Sequence, residues 1–225
     1  MMNTVVRHTA PAIAIPRRPQ PVREVFRLMT LADIADPALQ RYFALRKQVF
    51  VDQLGWDVPI CEYGEIDQYD RDETFYIVAE RDGVCVGGLR LNPTTTKFSY
   101  RGHEYSYMIR DAKLGLLPSI SPDLIDQTPP QDPAVWEMTR VISQKEPVHL
   151  RNLIDQAGKF LQRRGVSDVL FHSRPGAGRI CQIWGYVSHP VGPAAPIGDN
   201  LFQVFTVSTK NYKEERRLKA AGSPV

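Results

Sequence analysis

Residues 45–70 read LRKQVFVDQLGWDVPICEYGEIDQYD, and the rest of the chain is arranged around them. The stretch opens inside a helix whose apolar stripe runs Leu39, Tyr42, Phe43, Val49 and Phe50 at helical spacing. Arg46 falls inside that stripe instead of opposite it. An arginine facing a core is costly unless a carboxylate meets it. Asp67 and Asp70 supply carboxylates just ahead of a strand-like run, and Trp56 lies between, after Gly55 and before Pro59. The pattern predicts a partly buried ionic site walled by aromatics. The competing reading is ordinary: an arginine that snorkels to water and aspartates that cap a turn.

Around this stretch the chain alternates between short strands and helices. Residues 22–30 (VREVFRLMT) read as a first strand, and Asp36-Pro37 as a helix start, an N-cap acid followed by proline. That helix carries Arg46 to about Val51, and a loop follows from Gln53 to Asp72. Residues 74–80 and 84–91 form two strands joined at Arg81-Asp82-Gly83, the Asp-Gly pair marking a hairpin. Strand alternation puts Val84, Val86, Gly88 and Arg90 on one face, aiming a second arginine at an interior or cleft. Gly87 and Gly88 suit a bulge or a close approach.

Residues 105–117 suggest a helix, and 118–133, rich in Pro, Asp and Ser, a long surface excursion. Residues 135–143 (VWEMTRVIS) are the next strand. Glu137 and Arg140 would face opposite ways in a regular strand, so the strand must bulge or end between them if both serve one site. An amphipathic helix follows, with Leu150, Leu153, Ile154, Ala157, Phe160 and Leu161 on one side and Gly165 at its C-cap. A strand over 167–172, a short helix over 176–184 and a last strand over 201–208 complete the pattern. Antiparallel strands followed by strand–helix–strand predict an α/β sandwich, with one mixed, mainly antiparallel sheet flanked by helices. The expected division is a disordered leader over 1–21, one domain over 22–209 and a charged tail over 210–225.

With 225 residues, 43% of them hydrophobic, 24% charged and a net charge of +3, the chain has the composition of a globular protein with no bias toward nucleic acid. Cys61, Cys85 and Cys181 are scattered and odd in number, and no CxxC, HxH or HExxH is present. Neither a disulfide framework nor a metal site is predicted, and reduced cysteines suit the cytoplasm. No apolar run approaches the length of a spanning helix.

Arg46, Phe50, Trp56, Asp67, Asp70, Arg90, Glu137 and Arg140, carried by RKQVFVDQLGW, EIDQYD, RLNPT and WEMTR, resemble the signature of the LuxI-type acyl-homoserine-lactone synthases. The resemblance covers about Arg46 to Arg140. Two positions depart from the usual pattern: Thr139 stands where the family has serine, and DQYD replaces DQFD.

The resemblance implies a fold related to the GNAT acetyltransferases and a two-substrate reaction. An acyl group moves from a phosphopantetheine thioester, on acyl carrier protein or coenzyme A, to the amine of S-adenosylmethionine. The methionine carboxylate then closes a lactone and releases methylthioadenosine, producing a quorum-sensing signal. Both reactants are substrates, so no cofactor is expected.

On this reading Glu137, Arg140 and Asp70 are catalytic, with Glu137 as the base. Arg46, Phe50, Trp56, Asp67 and Arg90 bind S-adenosylmethionine, the arginines matching its carboxylate and the aromatic faces its sulfonium or adenine. Met108, Trp136, Met138, Ile142, Phe171 and Trp184 are candidates for an acyl pocket or plain core. Arg151, Lys159 and Arg163 are candidates for docking an acidic acyl carrier protein or an ordinary solvated face. RPGAGR, residues 174–179, can cradle a coenzyme A phosphate or form a turn. Two other functions stay open: a GNAT-type N-acyltransferase acting on another amine, and a non-catalytic module that binds an acyl carrier. Against the first, the segment after Val141 lacks a Q/R-x-x-G-x-G/A pyrophosphate loop.

Overall fold

The computed structural model describes residues 24–144, 147–198 and 200–213. The expected leader and most of the expected tail lie outside the described residues. In chain order the elements are β1 (Glu24–Thr30), α1 (Pro37–Arg46), β2 (Ile60–Cys61), β3 (Gly64–Glu65), β4 (Phe75–Arg81) and β5 (Val84–Pro93). Then come β6 (Phe98–Tyr100), β7 (His103–Tyr105), α2 (Met108–Lys113), β8 (Val135–Ser143) and α3 (Pro147–Gln162). The chain closes with β9 (Asp168–Ser173), α4 (Ala177–Trp184), β10 (Tyr186–Pro190), β11 (Ala195–Ile197) and β12 (Asn200–Asn211).

The main sheet runs β1-β4-β5-β8-β9-β12-β10, with β11 added to β12. Among the described residues only β8 and β9 pair in parallel, because α3 is the crossover between them. The expected mixed, mainly antiparallel sandwich is what forms. Strand alternation divides its two faces. Phe75, Ile77, Ala79, Leu89, Leu91, Trp136, Met138, Val169, Phe205 and Val207 face α3 and α4. On the other face Tyr76, Val78 and Ile142 pack under α1, while Leu170 and Val204 pack under α2. The site lies on this second face, between the α1 and α2 clusters.

Several elements differ from the sequence reading. The helix does not stop at Val51: α1 passes at Lys47 into a π-helical segment, Lys47–Gln53, of the kind that often marks functional sites. The hairpin β4–β5 is present, but its register shifts between Ala79 and Glu80, so the face assigned to Val84, Val86, Gly88 and Arg90 is not continuous. Val84 is exposed and Val86 packs in the α3 layer, while Gly88 meets Tyr42 under α1. Of residues 105–117 only Met108–Lys113 are α-helical, as the short α2, and Tyr105 ends the β6–β7 hairpin that precedes it. The last strand extends past Ser208 to Asn211 and so takes in Lys210, expected at the start of the tail.

Candidate active site

The site begins with how α1 presents Arg46. Asp36 caps the helix by accepting from the Ala38 N–H at 2.8 Å, with Pro37 at the first helical position. The stripe Leu39, Tyr42, Phe43 then seats against the sheet, and Arg46 goes in with it, fully buried. Strand β3 crosses directly beneath the helix. A Cβ on Gly64 would sit 2.2 Å from the Phe43 carbonyl oxygen, and its φ is +130°, so glycine alone permits the approach. Glu65, the next residue, is thereby placed against Arg46.

The six charged side chains close a ring of alternating sign. Arg46 donates from Nε to Glu65 at 2.5 Å and from Nη1 and Nη2 to both oxygens of Asp70 at 2.8 Å each. Asp70 lies 3.0 Å from Arg90 Nη1, which donates to Asp67 at 2.6 Å. Asp67 accepts from Arg140 Nη2 at 2.7 Å, and Arg140 returns to Glu65 at 2.9 Å. Three guanidinium groups face three carboxylates, so the buried charge balances.

Burial on its own would raise the Asp70 carboxyl, yet Arg46 and Arg90 hold it well below the ordinary carboxylate value. Glu65 is likewise lowered against its own burial by Arg46 and Arg140. Tyr76 and the Asp67 N–H add hydrogen bonds to Asp70 at 3.0 and 2.8 Å.

Arg140 reaches the ring because β8 is distorted there. Its φ is +53°, and the register against β5 shifts between Gly88 and Arg90, the irregularity that the Glu137–Arg140 spacing requires. The Tyr42 hydroxyl donates to the Arg140 carbonyl at 2.7 Å and fixes the turn. Phe50 and Trp56 stack at 4.9 Å, and the Arg140 guanidinium lies over both, 5.1 and 5.8 Å from their centroids. These aromatic faces, assigned from the sequence to a substrate cation or adenine, therefore already carry a protein cation on one side.

Glu137 is brought to the same sheet face but stands apart from the ring. Its oxygens accept the Met108 and Ile109 N–H groups at 3.1 and 2.8 Å, holding the first turn of α2. Full burial pushes its carboxyl up to about 7, against the lowering pull of those hydrogen bonds and of Arg90.

Other assignments fare differently. The six acyl-pocket candidates do not line one cavity. Trp136, Met138, Phe171 and Trp184 belong to the layer under α3 and α4, Met108 to the α2 cluster and Ile142 to the α1 cluster. Strand alternation is the cause, since it turns Trp136 and Met138 away from Glu137 and Thr139. On α3, Lys159 and, just beyond its end, Arg163 are exposed, while Arg151 lies 3.7 Å from Asp155. In RPGAGR, Gly178 is a packing glycine, since a Cβ there would meet the Phe205 ring at 2.6 Å.

Glu65 escaped the sequence reading, although its two-residue spacing from Asp67 was a signal that both could point one way. Phe202 and His172 escaped it too. Phe202 meets Trp56 edge-on at 6.4 Å, and the His172 ring lies 5.1 Å from Phe202.

A mixed, mainly antiparallel sheet of this topology, with helices on both faces, is of the GNAT-like class of fold. Residues 30–156 match the family model of the autoinducer synthases. The chain belongs to that family. An acyl-homoserine-lactone synthase from Ralstonia nicotianae is 39% identical over 113 residues, covering 49% of this chain and 46% of the relative. One from Acinetobacter nosocomialis is 28% identical over 172 residues, covering 70% and 84%. The chain thus spans about half the length of the Ralstonia relatives it matches.

Among solved structures, a coenzyme A-dependent acyl-homoserine lactone synthase, BjaI, bound to S-adenosylmethionine and isopentyl-coenzyme A, superposes with a TM-score of 0.70 at 20% identity, over 90% of this chain and 92% of that one. The synthase LasI gives 0.71 at 18% identity, over 91% and 98%. At such identities the likeness is one of fold. No helix among the described residues is long and apolar enough to cross a membrane.

Proposed function

We propose that this protein is an acyl-homoserine-lactone synthase that joins S-adenosylmethionine to an acyl group carried on a phosphopantetheine thioester. The observation that carries the reading is the closed ring of Arg46, Asp70, Arg90, Asp67, Arg140 and Glu65 beside the Phe50–Trp56 stack. S-adenosylmethionine brings a carboxylate, an ammonium and a sulfonium. A ring in which every charge is held in place, and whose Arg90 Nη2 is buried without a hydrogen-bond partner among the described residues, is preorganised to receive them.

Arg90 and Arg140 orient the carboxylate toward the carbon it attacks. Asp67, at the rim of the ring, draws in the cation. Glu137, whose carboxyl burial pushes up to about 7, accepts the proton that the amine sheds, through a bridging water. The sulfonium is its own leaving group, so lactone closure asks for orientation and no cofactor.

The donor we propose is an acyl carrier protein, which would dock on the exposed basic residues of the α3 end. The curated relatives named as synthases and the family match support the reaction. The test is direct: purified protein, S-adenosylmethionine and an acyl thioester should give methylthioadenosine and an acyl-homoserine lactone in equal amounts. Thiol release with another amine and no need for S-adenosylmethionine would point to a different N-acyltransferase. Binding without turnover would point to a carrier-binding module.

A further inference from the structure

We infer that His172 is a catalytic residue of this site, donating a hydrogen bond from Nε2 to the carbonyl oxygen of the acyl thioester as the amine attacks. The inference rests on the synthase reading above and deepens it.

The sheet opens where His172 stands. Parallel pairing of β8 and β9 ends at Met138 opposite Phe171, although β8 continues to Ser143 and β9 to Ser173. The next positions in register are Thr139 and His172, and no ladder joins them. Pairing stops just before Arg140, where β8 turns to a positive φ and its register against β5 shifts. An extended thioester fits such a seam, because strand edges without a neighbour accept an extended chain.

The side chains at the seam are unsatisfied in a way that fits a missing oxygen. His172 Nε2 is buried and, among the described residues, has no hydrogen-bond partner; Arg90 Nη2 is in the same condition. Arg90 Nε reaches Thr139 Oγ1 at 3.0 Å, and by alternation with Leu170 the His172 side chain belongs to that same sheet face. A buried ring nitrogen without a partner is destabilising, so a residue that only packed against Phe202 would be better replaced by a hydrocarbon. Phe202 joins the imidazole to Trp56 and so to the charge ring, which fixes its position relative to the bound cation.

The protonation state suits a donor and not a base. Burial lowers the imidazole to about 4, so it is neutral in ordinary conditions. A neutral imidazole can still polarise a carbonyl through its N–H, as in triosephosphate isomerase, where a neutral histidine plays this part. In the step itself the amine lone pair forms the N–C bond and the carbonyl π pair moves onto oxygen. That oxyanion is held by Nε2–H. Collapse restores the carbonyl, breaks the C–S bond, and the thiolate leaves with the proton that the amine lost, relayed through Glu137.

The test compares wild type, His172→Leu and His172→Gln with S-adenosylmethionine and a saturated, unsubstituted acyl thioester. His172→Leu should lower kcat by about 10²-fold to 10³-fold, the usual effect of removing one oxyanion donor. The KM for S-adenosylmethionine should stay within about twofold of wild type. His172→Gln, whose amide N–H can replace the donor, should recover about tenfold of that loss. If His172→Leu does not fold, His172→Phe keeps the ring packing without a donor and carries the same expectation. A kcat within about threefold of wild type in the donorless variant overturns the inference. So does a loss confined to thioesters with an oxygen on the acyl chain, or equal losses in the Leu and Gln variants. A wild type that forms no lactone at all would instead refute the synthase reading.

Discussion

Arg46 and Asp70 meet through two parallel hydrogen bonds of 2.8 Å, with both side chains sealed from solvent. The pair joins the last turn of α1 to the loop before β4, and it is one link of a ring in which every arginine touches two acids. Such a ring holds itself in place without substrate. It does so at a cost, since each ion has left water and is held only by its neighbours.

Arg46→Ala is therefore expected to do two things. It strands Asp70 and Glu65 as buried carboxylates, a loss of about 3–5 kcal/mol by analogy with other broken buried pairs. It should also abolish lactone formation. Urea unfolding followed by circular dichroism measures the first effect and a methylthioadenosine assay the second. Near-normal turnover in a stable variant would remove the ring from the site.

Gly88→Ala tests the ring from a distance. A Cβ at Gly88 would lie 2.6 Å from two atoms of the Tyr42 ring, whose hydroxyl holds the Arg140 carbonyl. Overpacking of this kind costs about 1–3 kcal/mol. It should also move Arg140, so turnover is expected to fall by more than the stability loss explains. Tm and kcat measured on the same preparation separate the two. Unchanged kcat at lowered Tm would show that Tyr42 does not position Arg140.

How much of this was legible in the sequence follows from what each residue type demands. Arg46 and Arg90 stood out because charges in apolar patterns need partners, and Asp67 and Asp70 were close enough to supply them. Strand parity required β8 to bulge or end between Glu137 and Arg140 if both were to serve one site, and the strand is distorted at Arg140. Glu65 was hidden because GEID read as loop, and only the approach of Gly64 to Phe43 shows why an acid is buried there. Phe202 lies beside Trp56, and His172 beside Phe202, through strands more distant in the chain, β12 and β9, by contacts that no local pattern encodes. The acyl pocket was not legible for a related reason. Its candidates were chosen by type, and the sheet sends them to different faces.

The pH dependence of stability should carry opposite signs on its two sides. Asp70 and Glu65 are lowered when folded, so they stabilise the protein above the ordinary carboxylate range, and that contribution is lost as pH falls from that range through their depressed folded values. Glu137 is raised to about 7. Between an unfolded value near 4.3 and that folded value, the folded chain keeps a proton that the unfolded chain has released. Stability from Glu137 therefore declines as pH rises through this window, and the penalty is complete above it. Glu137→Gln cannot ionise, so its Tm should fall less than that of wild type between about pH 5 and pH 8. Parallel Tm curves would show that Glu137 does not titrate there. If Glu137 is also the base, the same variant should lose about 10²-fold to 10⁴-fold in kcat.

The carrier protein is the last expectation. Lys159 and Arg163 are exposed at the end of α3, where the helix leads back into the sheet at β9. The β8–β9 seam opens at the other end of the strand pair, past Met138 and Phe171, so the prosthetic arm of an acidic carrier docked there has to run along the pair to reach it. Charge reversal at both positions, Lys159→Glu with Arg163→Glu, should raise the KM for an acyl carrier protein and leave the KM for S-adenosylmethionine unchanged. Surface charges are screened over about 10 Å at 0.1 M salt, so the difference between variant and wild type should shrink as salt is added. A deficit that persists at high salt would mean that the substitutions disturb α3 itself. The comparison needs a second donor as well. With acyl-coenzyme A the same double variant should match wild type, because that donor has no protein surface to lose. Efficient turnover of acyl-coenzyme A by wild type, with no response of the carrier-protein reaction to the reversal, would assign the donor to coenzyme A and leave the basic end of α3 as a solvated face.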